Sequence, residues 1–228
     1  MSMGPGKLLP AHRYIINQRS HRDKVRNCSN GKLDWGHKSL SDLKRQLRLS
    51  LRSQQQGRCY FCRRRILIER RNAYESIEHY LDKSKAHYLK WVFSPVNLTL
   101  ACHACNFEKS TRDLGDPAIV ASNSLSSQAG AFSWLHPYFD DFHENILIEK
   151  GWIYKVREGA PKEAQARQMV LQLKLDQIQT IEAHAQSIIE VRARLIELST
   201  RCIQRGNNTR ALRLLARLGE LNEDGWAG

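Results

Sequence analysis

The chain has 228 residues, among them 36 Lys and Arg and 23 Asp and Glu, which give a formal net charge of +13 and a pI near 9.7. Solubility of a small domain needs a net charge of only about 2 to 8, so the excess favours a polyanionic partner, nucleic acid first. No apolar run approaches the roughly 18 residues that span a bilayer, and residues 1–10 lack the apolar segment of a signal peptide. We expect a soluble, cytoplasmic protein without a membrane partner.

The N-terminal part of the chain shows little periodicity. Residues 1–37 contain Gly, Pro, Asn and many basic side chains but no sustained apolar pattern, so we predict a basic arm, either mobile or loosely packed. A regular pattern begins after residue 38. Ser41 is a suitable N-cap, and one leucine per turn follows, at Leu43, Leu47 and Leu51. We predict an amphipathic helix that leads to the first cysteine pair.

Four of the six cysteines form two Cys-x-x-Cys pairs, Cys59 with Cys62 and Cys102 with Cys105. Each pair can offer two thiolates to one tetrahedral Zn²⁺, and matched pairs of this kind rarely arise as buried apolar thiols. A secreted disulfide scaffold would be smaller and rich in loops. We therefore predict a structural zinc site in a reducing compartment, with Cys28 and Cys202 as free thiols.

The cysteine pairs enclose most of a small α+β module. Residues 74–80 and 97–101 are predicted strands, Pro95 closes the loop between them, and residues 105–112 are a predicted short helix. The helix and the two strands together with their cysteines define a region from residue 38 to residue 120. We expect the chemistry of the chain to reside there.

Several polar residues of this region suit the hydrolysis of a phosphodiester. His79 is a suitable general base, because an imidazole titrates near neutral pH. Glu78 and Asn106 offer oxygens to Mg²⁺ or Mn²⁺, and Asn97 can bond to the backbone of the loop after His79 and orient the imidazole. Lys109 lies three residues after Asn106 on a helix and is a predicted phosphate contact.

Each of these residues also has an ordinary structural interpretation. A single histidine is more often a packing residue, Asn97 suits a turn, and Asn106 suits a helix cap. Neighbours on a strand point to opposite faces, so Glu78 and His79 reach one cleft only if a twist or bulge intervenes. A basic cluster after the first cysteine pair either follows phosphate or is a solvated loop: Arg63, Arg64, Arg65, Arg70 and Arg71.

The second half of the chain is predicted to be a connection followed by helices. Residues 121–160 begin with a Ser-, Asn- and Gly-rich linker and continue into a small hairpin or extended segment packed on the module. Residues 161–228 are predicted to be helical. The first helix extends to about residue 201 and either is continuous or breaks near His184. A shorter amphipathic helix follows a turn at residues 206–208. A helical hairpin that closes its own core is favoured over an arm that binds a partner.

The order of the motifs resembles the HNH endonuclease family. The resemblance rests on the two cysteine pairs together with Ser76-Ile77-Glu78-His79-Tyr80, Pro95-Val96-Asn97-Leu98 and Asn106-x-x-Lys109-Ser110. It implies a ββα-metal fold stapled by zinc, with His79 as the general base, Glu78 and Asn106 as ligands of a catalytic Mg²⁺ or Mn²⁺, and Asn97 as the orienting residue. Many members have Asp and His where this chain has Glu78 and Asn106. Asp82 replaces a proline that is usual after the base, and is a possible further acidic ligand.

A weaker resemblance extends to most of the chain. Residues 80–84, the run His136-Pro137-Tyr138-Phe139-Asp140 and the helical C-terminal region are similar to the HNH nuclease subunits of bacterial Septu-type and retron-associated anti-phage systems. That resemblance implies a bacterial cytoplasmic protein in antiviral defence. It also implies an ATPase partner subunit, with a retron complex as a further partner.

Three functions remain open at this point. The first is a metal-dependent HNH endonuclease, with DNA as the favoured substrate. The second is a ribonuclease with the same site, because nothing in the sequence selects the sugar. The third is a zinc module that binds nucleic acid through its basic surface and has no catalytic activity.

Overall fold

The computed structural model describes residues 3–66 and 74–224, without the side chains of residues 181–188 and 220–224. The fold is α+β, with helices and two small two-stranded sheets among these residues. The chain forms two compact units. Unit 1 comprises Met1–Ile148 and Tyr154–Leu175, and unit 2 comprises Glu149–Ile153 and Asp176–Gly228.

The basic N-terminal stretch is part of unit 1 and contributes to its core. It contains the short helices α1 (Arg13–Ile16) and α2 (Arg22–Ser29). The backbone N–H of Leu8 donates to the carbonyl of Pro137 at 2.8 Å, which ties the stretch to a distant segment of the unit. Several of its apolar side chains are buried, namely Leu8, Ile15, Ile16 and Cys28. The described part of the predicted arm, residues 3–37, thus packs on unit 1 through these side chains, which a search for periodicity could not reveal.

The amphipathic helix is confirmed as α3 (Ser41–Gln54). Its three periodic leucines are fully buried, at Leu43, Leu47 and Leu51. Ser41 is the first helical residue, because Leu40 occupies the N-cap position and no side chain caps the helix. The helix buries one leucine per turn in unit 1 and ends just before the first cysteine pair.

The central module consists of β1 (Glu75–His79), β2 (Leu98–Cys102) and α4 (His103–Lys109). The strands pair antiparallel and residue for residue, from Glu75 opposite Cys102 to His79 opposite Leu98. Helix α4 follows β2 directly and packs against both strands. It begins two residues earlier than predicted and ends at Lys109, because Ser110 has a positive φ of 49°.

Two short helices and a second strand pair follow this module in the chain. Helix α5 (Pro117–Ala121) begins at a cap formed by the Asp116 carboxylate. After the linker come α6 (Phe142–Asn145) and the strand pair β3 (Ile146–Glu149) and β4 (Ile153–Val156), in the region of the predicted hairpin.

The predicted long C-terminal helix is divided in two. Helix α7 (Glu163–Gln172) belongs to unit 1, and Lys174, with a φ of 52°, ends it before a 3₁₀ turn at Leu175–Gln177. Helix α8 (Ile178–Gln204) is continuous through His184, where a break was one of the two predicted alternatives. It packs against α9 (Asn208–Asp224) in unit 2. None of the helices in the described part of the chain has the length and apolar character that crossing a membrane requires.

Gln55 links α3 to the central sheet. Its side chain is buried, with 1% exposure, and its amide nitrogen donates to the carbonyls of Arg58 and Leu100 at 2.7 and 2.9 Å. Its amide oxygen accepts from the Thr99 hydroxyl and from the Leu100 N–H at 2.8 and 2.7 Å. One side chain therefore satisfies four polar groups between a helix end and a strand edge.

Replacement of Gln55 by Leu removes these four hydrogen bonds at nearly constant volume. We expect the free energy of unfolding to fall by about 1 to 3 kcal/mol, because the Leu100 amide loses its partner in a buried position. Urea denaturation measures the change. Ser53→Ala, at an exposed position of the same helix, is the control and should change stability by less than about 0.5 kcal/mol. Equal effects of the two substitutions would contradict the bridging role of Gln55.

Candidate functional site

The four paired cysteines converge on one point. The sulfurs of Cys59, Cys62, Cys102 and Cys105 all lie within 4.8 Å of one another, and those of Cys62 and Cys102 are 3.8 Å apart. Tetrahedral zinc with bonds of about 2.3 Å places its sulfur ligands about 3.8 Å apart. The pKa of the Cys102 thiol is lowered because the other three sulfurs, Cys105 first, hydrogen-bond with it. The cluster can hold a metal ion and is compatible with zinc, as predicted.

The backbone brings the two cysteine pairs together through a tight turn and a strand end. In the turn, the N–H of Arg63 donates to the Cys59 carbonyl at 3.0 Å. The Tyr60 N–H donates to the Leu100 carbonyl at 3.0 Å, which fastens the turn to β2. The Tyr154 hydroxyl of β4 donates to the Cys62 carbonyl. The second pair spans the junction of β2 and α4, so the cluster joins the turn to the first residues of that helix.

Arg63 is buried, whereas a residue that contacts nucleic acid has to be exposed. Its side chain is only 1% exposed, its guanidinium donates to the Pro5 carbonyl at 2.8 Å, and it lies 3.9 and 4.6 Å from the ring centroids of Phe142 and Tyr60. The prediction of a phosphate contact at Arg63 is therefore wrong. A local charge pattern could not reveal that this one arginine stacks inside the fold on aromatic rings.

The other two described arginines of the basic cluster are closer to solvent than Arg63. Arg64 is half-buried and Arg65 is exposed beside the first cysteine pair. Arg70 and Arg71 lie outside the described residues. Arg64 remains a predicted nucleic-acid contact.

A cleft of about 560 Å³ opens beside the cysteine cluster, at the C-terminal end of β1. It brings together Glu78, His79 and Asn106, three of the residues proposed for catalysis. Its other lining residues come from the loop after β1 and from α4 and its end, namely Asp82, Lys83, Ser84, Phe107, Ser110 and Thr111. Carboxylate, imidazole, amide and ammonium groups thus share one open cavity, which is typical of a catalytic or binding site.

His79 is held in one orientation by its surroundings. Its side chain is 2% exposed, the ring of Trp35 packs edge-on against it at 4.4 Å between centroids, and its Nε2 donates to the Val92 carbonyl at 3.1 Å. Because a carbonyl only accepts, this bond places the proton on Nε2 and leaves Nδ1 as the acceptor. The pKa of His79 is well below its ordinary value, first because the ring is buried and then because Lys83 and Lys109 add positive charge. The imidazole is therefore neutral at neutral pH.

Asn97 fixes the loop that follows His79. Its side-chain oxygen accepts from the Leu81 N–H at 2.7 Å, and its amide nitrogen donates to the carbonyls of Leu81 and Trp91 at 3.2 and 3.0 Å. The Tyr80 N–H donates to the Asn97 carbonyl at 2.9 Å. Trp91 immediately precedes the residue that binds His79, so Asn97 orders the segments on both sides of the imidazole.

Lys109 is buried and is not among the residues that line the cleft, contrary to the predicted phosphate contact. Its side chain is 0% exposed, and its ammonium lies 2.7 Å from the Glu78 carboxylate. Burial raises the pKa of Glu78, and the charge of Lys109 opposes that rise. The phosphate contact predicted for Lys109 is therefore wrong in this structure. A lysine with no exposure is held by an opposite charge, and the sequence pattern carried no sign of that burial.

Glu78 and His79 reach the same cleft without a bulge. The strand pairs remain in register up to His79, and the two side chains contact different partners, Lys109 for Glu78 and Trp35 for His79. Because His79 is the last residue of β1, the cleft that both side chains line lies at the end of the strand. The position of Glu78 and His79 at the end of β1, rather than a twist or bulge, therefore brings both residues to the cleft.

Asn106 and Asp82 complete the polar lining. Asn106 lies in the middle of α4, one residue after Cys105, and its amide nitrogen donates to the Ser76 hydroxyl at 3.3 Å, which leaves its amide oxygen as an acceptor. Asp82 accepts from the Ser84 N–H and hydroxyl at 3.0 and 2.5 Å. This turn stabilises the loop between β1 and the 3₁₀ turn at Ala86–Trp91.

Three residues of the site had no signal in the sequence. Lys83 lines the cleft near Glu78 and His79 and has no ionic partner within the described part of the chain. Phe107 lies at the rim with 72% exposure. Trp35 comes from the N-terminal stretch, more than 40 positions before the residue it contacts. Only the rarity of tryptophan, with five in the whole chain, could have drawn attention to it.

Comparisons of the chain with models of known protein families, with curated proteins and with solved structures found no match. The fold is thus α+β with a four-cysteine cluster compatible with zinc. The function has to be inferred from the residues of the cleft and of the cluster.

The cysteine cluster should bind one zinc ion per chain. We expect Cys102→Ser to lose that zinc and to lower the melting temperature, because three ligands hold the ion less tightly and the turn is no longer fastened to α4. Metal analysis by mass spectrometry and thermal unfolding measure the two effects. Cys202→Ser, outside the cluster, is the control and should keep one zinc. Full zinc content in Cys102→Ser would contradict the assignment.

The buried ion pair should be more important for stability than an exposed one. We expect Lys109→Met to lower the free energy of unfolding by about 3 kcal/mol, because it leaves the Glu78 charge buried without its partner. The double variant Lys109→Met/Glu78→Gln should recover at least half of this loss. Urea denaturation of the single and double variants gives the coupling energy.

An exposed pair on the same unit provides the control for this cycle. Lys174 pairs with Glu108 at 3.0 Å, with side chains 53% and 27% exposed. Lys174→Met should therefore change stability by less than about 1 kcal/mol. If Lys109→Met lowered the free energy of unfolding no more than Lys174→Met does, the buried pair would contribute no more to stability than the exposed pair.

Proposed function

We propose that the protein is a metal-dependent endonuclease of the HNH type, which hydrolyses phosphodiester bonds of nucleic acid, with DNA as the favoured substrate. The observation that carries the proposal is the state of His79. It is a neutral imidazole with the Nε2 proton bound to the Val92 carbonyl, and it lines a cleft with Glu78 and Asn106. A fixed, neutral imidazole beside oxygen ligands is the arrangement that activation of water requires.

The residues of the cleft would divide the reaction among them. Nδ1 of His79 would take a proton from water as the water attacks phosphorus and the bond from phosphorus to the leaving 3′ oxygen breaks, and that oxygen would leave with the electron pair and take a proton from solvent. The Nε2 bond to Val92 would hold the ring in the position for the transfer to Nδ1. Lys83 faces the same space and stabilises the negative charge of the phosphate. Asn97 keeps the backbone around the imidazole in place. General base catalysis of this kind contributes about a factor of 10² to 10⁴.

The donor set of the cleft fits a hard divalent cation. The Glu78 carboxylate and the Asn106 amide oxygen would hold Mg²⁺ or Mn²⁺, with waters and substrate phosphate as further ligands. Such an ion neutralises charge on the phosphate and on the leaving oxygen. Among the described residues, the four cysteines form the only group of three or more His, Cys, Asp or Glu close enough to ligate a metal together. A lightly held catalytic ion of this kind is typical of Mg²⁺ sites.

The distribution of charge supports a nucleic-acid substrate for unit 1. Unit 2 contains eight basic and eight acidic residues, so the whole net charge of +13 belongs to unit 1, which contains the cleft. A concentrated positive charge attracts a phosphate backbone and makes binding sensitive to salt. The charge alone does not distinguish DNA from RNA, so ribonuclease activity is one arm of the test below.

Unit 2 suits a protein partner better than a polyanion. It is neutral overall, and several large apolar side chains on its two helices are exposed, namely Ile189, Ile196, Ile203 and Leu212. Ile189, Ile196 and Ile203 recur at seven-residue intervals, which places them along one face of α8, and a contiguous exposed apolar face is typical of an interaction surface. The resemblance to nuclease subunits of anti-phage systems suggests the partner: we propose that the nuclease acts within a bacterial anti-phage defence complex, with an ATPase subunit as partner and a retron complex as a further one.

Replacement of His79 by Ala should abolish cleavage. We expect the purified protein to cut plasmid DNA with Mg²⁺ or Mn²⁺ and to be inactive in EDTA, and His79→Ala to lose at least a factor of about 100 in rate because water is no longer deprotonated. Binding of the same DNA in EDTA should change less than about threefold, since His79 is not a phosphate contact. Total RNA is tested in parallel and identifies a ribonuclease if it alone is cut.

A histidine outside the cleft provides the matched control. His87 is 40% exposed and lies near Asp113 rather than in the cleft, so His87→Ala should keep full activity. Undiminished cutting by His79→Ala would contradict the mechanism. Tight nucleic-acid binding without cutting by zinc-loaded protein, alone or with its partner subunit, would favour the binding module without catalysis.

A further inference from the structure

A second cavity of about 350 Å³ lies next to the cleft in unit 1. The two cavities share Lys83 and Ser84 in their linings. The remaining wall of the second cavity is mostly apolar and comes from the N-terminal stretch and from the 3₁₀ turn, namely Cys28, Gly31, Leu33, Trp35, Leu89 and Val92, with Asp34 as its acidic residue. Neither the predicted catalytic residues nor the zinc cluster uses this space.

Two residues that line the second cavity also contact His79. Trp35 packs on His79, and Val92 accepts the His79 hydrogen bond, so the second cavity lies directly behind the imidazole. Lys83 lines both spaces and is half-buried. A phosphate bound by Lys83 in the cleft would therefore place a covalently attached group at the entrance of the second cavity.

The lining fits a flat heterocycle with polar edges. An indole and aliphatic side chains cover the faces of a nucleobase favourably, and stacking of one base on an aromatic side chain contributes about 1 to 3 kcal/mol. The Asp34 carboxylate can accept a hydrogen bond from an exocyclic amino group. The volume is within the lower part of the range of about 300 to 1,000 Å³ that small-molecule sites occupy.

We propose that this cavity is a subsite for one nucleoside, next to the phosphate that is cleaved. The subsite would take a single unpaired base, held between Trp35 and Leu89 and facing Asp34, while Lys83 binds its phosphate. The inference rests on the proposed function for the position of the phosphate, but the binding of a nucleotide can be measured without cleavage. It also implies that the substrate presents a base out of its helical stack at the cut.

The test uses the unmodified full chain with its zinc bound and with neither Mg²⁺, Mn²⁺ nor a chelator added, because a mononucleotide has no phosphodiester bond to cleave and removal of His79 would alter the wall of the cavity. A 2′-deoxynucleoside 5′-monophosphate that carries an amino group, deoxycytidine monophosphate, is titrated into ¹⁵N-labelled protein and the indole signal of Trp35 is followed by NMR. We expect saturable shifts of that signal, and at least tenfold weaker binding of ribose 5-phosphate, which has the phosphate without the base. Equal binding of the two would overturn the proposal.

Two matched variants test the location of the subsite. Leu89→Trp fills the cavity without touching His79, and should weaken nucleotide binding at least tenfold, whereas Leu49→Trp on the exposed face of α3 should leave binding unchanged. Circular dichroism and zinc content establish that both variants are folded. Unchanged binding in folded Leu89→Trp would refute the subsite.

The subsite and the nuclease can fail separately. If the protein binds the nucleotide, loses that binding in Leu89→Trp and cuts no nucleic acid, the subsite is supported and the endonuclease is refuted. Metal-dependent cutting without nucleotide shifts at Trp35 would keep the endonuclease and refute the subsite.

Discussion

The four-cysteine cluster is the constraint on which the site depends. It joins the turn after α3 to the junction of β2 and α4, segments that are about 40 positions apart in the chain. Because Asn106 follows Cys105 directly, the position of the cluster also sets the position of the Asn106 amide in the cleft. A metal bound there would restrict both segments at once, since metal binding of this kind contributes directly to folding. The small sheet alone, with two strands of five residues, is too short to provide that rigidity.

A set of buried polar residues lines and supports the cleft and gives it its fixed geometry. His79 is bonded to Val92, Asn97 orders the loops on both sides, and Lys109 holds Glu78. Each of these groups is satisfied by a partner within unit 1, so the arrangement is ready before a substrate binds. The same interactions stabilise the fold and position the residues of the cleft, which is why stability and activity have to be measured together in every variant.

Local patterns predicted much of this, and long-range packing accounts for the rest. The leucine period of α3, the cysteine pairs and the order of strand, strand and helix were all visible, because they depend on neighbouring residues. The burial of Lys109 and Arg63 was not, because a basic side chain in a basic chain shows no sign of an ion pair or of stacked aromatic partners far away in sequence. The packing of Trp35 on His79 was hidden for the same reason. The break at Lys174 was missed because neither Gly nor Pro marks it.

We propose that unit 1 is a metal-dependent nuclease and that unit 2 contacts a partner. In this proposal the cleft holds a second, catalytic ion apart from the ion at the four cysteines. The most direct measurement is anomalous diffraction from crystals soaked in Mn²⁺, recorded at the manganese and zinc edges. We expect zinc at the four cysteines and manganese in the cleft, in contact with Glu78 and Asn106. Zinc at the cysteines with no manganese in the cleft would contradict the proposal.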